Sequence, residues 1–190
     1  MGQYYKVIIL DGDNIVLTWL CPYSFSGGAK LMEHAYMDDA LVKAVEQLIR
    51  PGGDYYKKQL VWAGDYADCE ANAGANLYSL VETMQQLQSW PPIGAKDDDA
   101  AVSVHDGDSL RYIVNHTKHV YVDKQHPLNQ IRDDQWNVIV HPLPLLVSES
   151  GGGDYCGNNE GLCGTWARDS ISVEHGIPDG YTELVPNFYT

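Results

Sequence analysis

Apolar and polar positions alternate between two periods along this chain, and the first clear signal is a hairpin. Val7-Ile8-Ile9-Leu10 and Ile15-Val16-Leu17 flank Asp11-Gly12-Asp13-Asn14. Strand-forming residues around four turn residues predict a β-hairpin over residues 5–18. The pattern returns later, where Tyr112-Ile113-Val114 and Val120-Tyr121-Val122 flank the polar stretch from Asn115 to His119. It predicts a second hairpin over residues 111–123. Between the two, Lys30 to Ala35 reads as a strand. Asp38-Asp39 then precedes Leu41, Val42, Val45, Leu48 and Ile49, an N-cap followed by the apolar stripe of an amphipathic helix that Pro51-Gly52-Gly53 stops. Leu77, Leu80, Val81, Met84, Leu87 and Trp90 form a second helical stripe, ended by Pro91-Pro92. Residues 91–109, with Asp97-Asp98-Asp99, read as a connection that includes a short strand at 101–105. Trp136 to Val140 reads as a strand, and the two prolines of Pro142-Leu143-Pro144-Leu145-Leu146 forbid a long helix after it.

The hairpins belong to a larger recurrence. Gly52-Gly53-Asp54-Tyr55 returns as Gly152-Gly153-Asp154-Tyr155, and Trp62-Ala63-Gly64-Asp65 resembles Trp166-Ala167-Arg168-Asp169. Tyr112 follows Val7 by 105 positions, Gly152 follows Gly52 by 100 and Trp166 follows Trp62 by 104. Three ordered matches at near-constant separation predict two diverged repeats, about 4–68 and 110–175, joined by a helix and acidic connector at about 76–109. An alternative register matches Gln59-Leu60-Val61-Trp62 to Ser170-Ile171-Ser172-Val173, and makes the second tryptophan motif an insertion. The expected fold is α+β: one domain over residues 1–190, mostly antiparallel sheet with two helices, as pseudo-symmetric halves around a shared core.

Charge narrows the partners. The chain of 190 residues carries 26 acids against 12 Lys and Arg, a net charge of −14. That field repels a phosphate backbone, so the expected partners are proteins or a second copy of the chain, and not nucleic acid. No apolar run is long enough to cross a bilayer, and no basic segment leads into one, so the expected location is cytoplasmic and a membrane is not an expected partner. Cys21, Cys69, Cys156 and Cys163 form no Cys-x-x-Cys pair, which removes zinc ribbons and thioredoxin-like chemistry and predicts free thiols.

Chemistry is hard to place. No nucleophile elbow, phosphate loop, dinucleotide fingerprint or HExxH motif is present, so no catalytic residue and no cofactor is assigned. Asp54, Asp65, Asp154 and Asp169, the acids of the recurring strings, are the candidate metal ligands or catalytic carboxylates. A turn used twice reads first as scaffold, with each Asp of the Gly-Gly-Asp-Tyr turns bonding nearby backbone amides. Asp11-Gly12-Asp13-Asn14 has the composition of a calcium loop without its spacing, and reads as a hairpin turn. His116 and His119 read as solvent-exposed turn histidines, and Trp62 and Trp166 as core.

Several strings carry a resemblance. Met1-Gly2-Gln3-Tyr4-Tyr5-Lys6, Lys30-Leu31-Met32-Glu33-His34, Trp62-Ala63-Gly64-Asp65-Tyr66-Ala67-Asp68, Tyr112 to Lys118, His141 to Leu146, Gly151 to Tyr155 and Trp166 to Asp169 are distinctive. In these the chain resembles an uncharacterised protein family of bacteria, phages and microbial eukaryotes. The resemblance covers nearly the whole length and implies a coherent folded unit, with no activity or ligand to carry over. Three functions are therefore weighed. The first is a non-enzymatic binding or structural subunit, the second a small-ligand or divalent-cation module built on the paired glycine turns, the third a hydrolase of unfamiliar type.

Overall fold

The computed structural model describes residues 2–71, 73–83, 110–129, 132–133 and 138–188. In chain order its elements are β1 (Tyr5–Leu10), β2 (Val16–Leu20), α1 (Ala40–Ile49), β3 (Gln59–Gly64), α2 (Leu77–Thr83), β4 (Tyr112–Asn115), β5 (Val120–Asp123), β6 (Arg132–Asp133), β7 (Val138–Ile139), α3 (Pro142–Val147), β8 (Asp169–Glu174) and β9 (Thr182–Glu183). Seven strands form one sheet in the order β2-β1-β3-β8-β4-β5-β9, antiparallel except where β9 runs parallel to β5. β6 and β7 make a separate two-stranded ladder.

Two groups of three strands share a pairing pattern. A hairpin forms first, β1–β2 or β4–β5, and a later strand, β3 or β8, pairs with the hairpin's first strand. Both hairpin turns are held by a side-chain acceptor. Asp11 Oδ1 takes the amides of Asp13 and Ile15 at 2.9 Å, and Asn115 Oδ1 takes that of Lys118 at 2.9 Å. Such local acceptors mimic a backbone turn, which is why Asx residues sit there.

β1 is buried along its whole length because helices cover both faces of it. Tyr5, Val7 and Ile9 pack into the main core with α1 and α3, while Ile8 and Leu10 pack with Val61, Ala63 and the α2 residues Leu77 and Val81. This two-sided burial turns the usual alternation into a continuous apolar run. Asp39 caps α1, accepting from Leu41 N at 2.9 Å and Val42 N at 3.3 Å. Trp62 and Trp166 are both core residues.

Several expectations change. Lys30–Ala35 is no strand: Leu31–Glu33 is a 3₁₀ turn, and Lys30 makes one isolated bridge to Tyr4. A third helix exists, since Pro142 and Pro144 fall in the first turn of α3, where no intrahelical donor is needed. The alternative register describes the strands: Trp62 lies within β3, whereas Trp166 lies in the turn before β8, and β8 pairs Ser170 with Gln59. The stripe beyond Thr83, the connector with Asp97-Asp98-Asp99, and Trp136 lie outside the described residues. No helix among the described residues is long and apolar enough to cross a membrane.

A buried charge cluster ties α1 to the second half. Glu46 on α1 accepts from Lys124 Nζ, just past β5, and lies 3.0 Å from His141 Nε2 at the start of α3. His141 Nδ1 accepts the Leu143 amide at 3.2 Å, so the ring proton is on Nε2 and points at Glu46. Burial pushes the Glu46 carboxyl up, but the His141 hydrogen bond and the Lys124 ammonium outweigh it and bring it down to about 2. A carboxyl held below its unfolded value stabilises the fold above about pH 4.5, and that contribution is lost as pH falls towards 2. Glu46→Gln leaves Lys124 buried without its counter-charge and is expected to cost about 3 kcal/mol in urea unfolding at pH 7. The penalty should shrink as pH drops through the same window, and a uniform penalty from pH 7 to pH 3 would contradict the assignment.

Candidate functional site

The polar face of β8 gathers a network of side chains from separate segments. Ile171 and Val173 point into the main core, so Ser170, Ser172 and Glu174 share the opposite face. Over that face come Tyr56, from the turn before β3, His116, from the second hairpin, and Tyr181, from the segment before β9. Ser172 Oγ donates to Glu174 Oε1 at 2.7 Å, and Tyr56 donates its hydroxyl to the same oxygen at 2.9 Å. His116 Nε2 lies 2.8 Å from Ser172 Oγ, and its Nδ1 lies 2.9 Å from the Tyr181 hydroxyl.

Proton counting gives this chain one direction. Ser172 spends its single proton on Glu174, so His116 must donate from Nε2 to Ser172. Nδ1 is then an acceptor, and Tyr181 donates to it. Burial lowers the His116 imidazole to about 4, and the nearby Lys57 charge adds to the effect. Burial and the Glu174 carboxylate push Tyr56 up to about 12. His116 is therefore neutral and Tyr56 protonated across the neutral range. The ring of Tyr181 also meets that of the exposed His119 edge-on, with centroids 5.2 Å apart. His119 matches its expected exposure; His116 does not, being half-buried and bonded on both nitrogens.

No family model, curated protein or solved structure matches the chain. The site therefore has to be interpreted from its own geometry.

The four acids singled out in the sequence do not converge. Asp65 Oδ1 accepts the Tyr4 amide at 3.0 Å. Asp169 pairs with Lys118 and accepts from Asn115 Nδ2 at 2.7 Å. Leu60 is the register partner of Asp169, and Asp65 lies five residues further along the chain, roughly 17 Å at strand rise. Among the described residues no group of three His, Cys, Asp or Glu side chains could hold a metal ion. The four cysteines are free thiols, and burial pushes Cys163 up to about 11, with Glu160 adding to it.

The glycine turns are less alike than their strings. Gly53 closes α1: its amide donates to Arg50 O at 2.8 Å, and a Cβ there would lie 2.4 Å from Leu48 O. Gly153 has φ +61° and lies against the Tyr5 ring, 2.8 Å from where its Cβ would be. Asp54 is exposed and makes no side-chain bond among the described residues. Asp154 reaches across to the first half and accepts the Met32 amide at 3.0 Å. The expectation of matched local bonds in both turns fails, because each loop packs against a different neighbour.

Ser172, Glu174, Tyr56 and Tyr181 have no motif to announce them. The available signal was the period-two polar face of Ser170, Ser172 and Glu174 opposite Ile171 and Val173. Two outcomes follow. Asp154→Ala should cost about 1–2 kcal/mol in chemical denaturation and Asp54→Ala less than about 0.5, and equal losses would count against the contacts described. For His116 the folded value lies below the unfolded one, so stability is full above about pH 6.5 and falls as pH drops towards 4. After allowing for solvent screening that slope amounts to about 1 kcal/mol. Melting curves of His116→Gln should lack it, and a slope unchanged from wild type would remove His116 as its source.

Proposed function

We propose that this protein is a non-enzymatic interaction subunit, a scaffold that presents a surface to a partner protein or to a second copy of itself. The observation that carries this reading is the direction in which its clustered titratable groups are shifted. A general acid or base works best with a pKa near the working pH. Here His116 is lowered to about 4, Glu46 is lowered to about 2, and Tyr56 is raised to about 12. Burial lowers His34 and His141 as well. None of these shifts moves a group towards neutrality.

The hydrogen bonds support the same reading. Ser172 is buried and its proton is committed to Glu174, so His116 does not activate it as a nucleophile. His34 donates from Nδ1 to Gly28 O at 2.9 Å and accepts from Trp62 Nε1 at 3.0 Å, which makes it a neutral strut. Arg168 bonds both Glu70 and Glu149, joining two loops. Membership of the family whose strings the chain shares, and a cytoplasmic setting, belong to the same proposal.

Native mass spectrometry of the protein purified from its source under gentle conditions tests this. The expected species is heavier than the 21.1 kDa chain by one or more whole protein chains. A monomer carrying a stoichiometric small molecule, or hydrolysis of simple ester or phosphoester substrates that Ser172→Ala abolishes, would overturn it.

A further inference from the structure

An aromatic patch lies where the start of β1 meets the turn after β3 and the first residues of α2. Tyr4, Tyr23 and Tyr66 are 43%, 66% and 61% exposed, and Trp19 and Tyr78 are half-buried between them and the core. Tyr4 and Asp65 are tied by two hydrogen bonds, the Tyr4 amide to Asp65 Oδ1 at 3.0 Å and the Asp65 amide to Tyr4 O at 2.9 Å. Tyr66 is the next residue in the chain. Asn76, just before α2, donates from Nδ2 to Asp65 O at 2.9 Å, which brings the start of α2 against the same turn. Burial pushes the Tyr78 hydroxyl up to about 12, and Glu82, Asp65, Cys21 and Tyr23 add to it.

The patch already holds one cation. Lys6 is 3% exposed, and its ammonium sits 3.8 Å from the centre of the Tyr78 ring and 5.4 Å from that of Trp19. It donates to Tyr78 O at 3.0 Å and pairs with Glu82. Lys6 is thus paired with a carboxylate, and the exposed side chains of these segments are Tyr4, Tyr23, Tyr66 and Asp68, with Asp65 half-buried. Asp65 Oδ1 accepts the Tyr4 amide, and the residue is half-buried. Ring faces carry negative potential, so aromatic rings beside carboxylates favour a guanidinium or ammonium that stacks and pairs at once. The net charge of −14 draws the same class of partner from a distance.

We propose that this patch is a docking surface for a basic segment of a partner protein, with Arg side chains stacked on the exposed tyrosines and paired to Asp65. The proposal rests on the interaction-subunit reading and names the chemistry of the partner. The probe is a short peptide of alternating Arg and Gly, titrated by fluorescence anisotropy into the whole chain at moderate salt. Tyr23→Ala combined with Tyr66→Ala changes no charge, touches no core residue, and should weaken binding by about fivefold or more. The control, Asp179→Asn with Glu183→Gln, removes two charges from the β9 region and should change binding less than the tyrosine pair does. Equal binding by wild type and the tyrosine variant, or a control as damaging as the tyrosine pair, would overturn the patch in favour of diffuse attraction to an acidic surface. That result would leave the subunit reading standing if native complexes are found. A monomer with a small ligand would end the subunit reading whatever the peptide does.

Discussion

Two register pairs, Gln59 with Ser170 and Leu60 with Asp169, join the two halves into one sheet. β1 and β3 pair over six positions and β4 and β8 over four, so each triad is laced more tightly within itself than to its neighbour. The short seam is reinforced from outside the strands. Arg168 N–H donates to Leu60 O at 2.8 Å, Ile171 N–H to Lys58 O at 3.1 Å, and Ser170 Oγ to Lys57 O at 2.6 Å. Further out, Asp154 holds the Met32 amide and the Tyr5 hydroxyl donates to Gly151 O at 3.1 Å. The polar network of β8 sits beside this seam, because Tyr56 and Lys57, in the turn before β3, bond Glu174 and Ser170.

Several acids form internal cross-links. Glu46 anchors Lys124 and His141, Asp123 is forked by Arg111, and Glu70 and Glu149 share Arg168. A buried ion is costly unless paired, so each such acid fixes the position of the segment that supplies its partner. The three described histidines with both ring nitrogens bonded, His34, His116 and His141, are all lowered by burial and act as neutral connectors between elements. Among the described residues, the exposed large apolar side chains include Tyr4, Tyr23 and Tyr66.

Much of the fold is legible before any coordinates. Both hairpins follow from apolar runs around Asx-bearing turns, and α1 follows from Asp39 and its stripe, because these depend on periodicity and local capping alone. Lys30–Ala35 misleads since its burial comes from other causes: Leu31 fills the main core from a 3₁₀ turn, and His34 is buried through its bond to Trp62. The tryptophan strings mislead in register, because similar residues fill space from a strand in one half and from a turn in the other.

The chain by itself determined the α+β class, the hairpins, the acidic character and the absence of familiar catalytic motifs, all of which are properties of residue type and near-neighbour spacing. Tertiary structure alone decided that Asp54 and Asp154 have different surroundings, that Asp65 and Asp169 stand apart, and that Tyr56, His116, Ser172, Glu174 and Tyr181 meet. The reason is physical. A hydrogen-bonded chain across four segments depends on strand register and on which loop lies over which strand, and those are fixed by long-range pairing that leaves no periodic trace in the residues it joins.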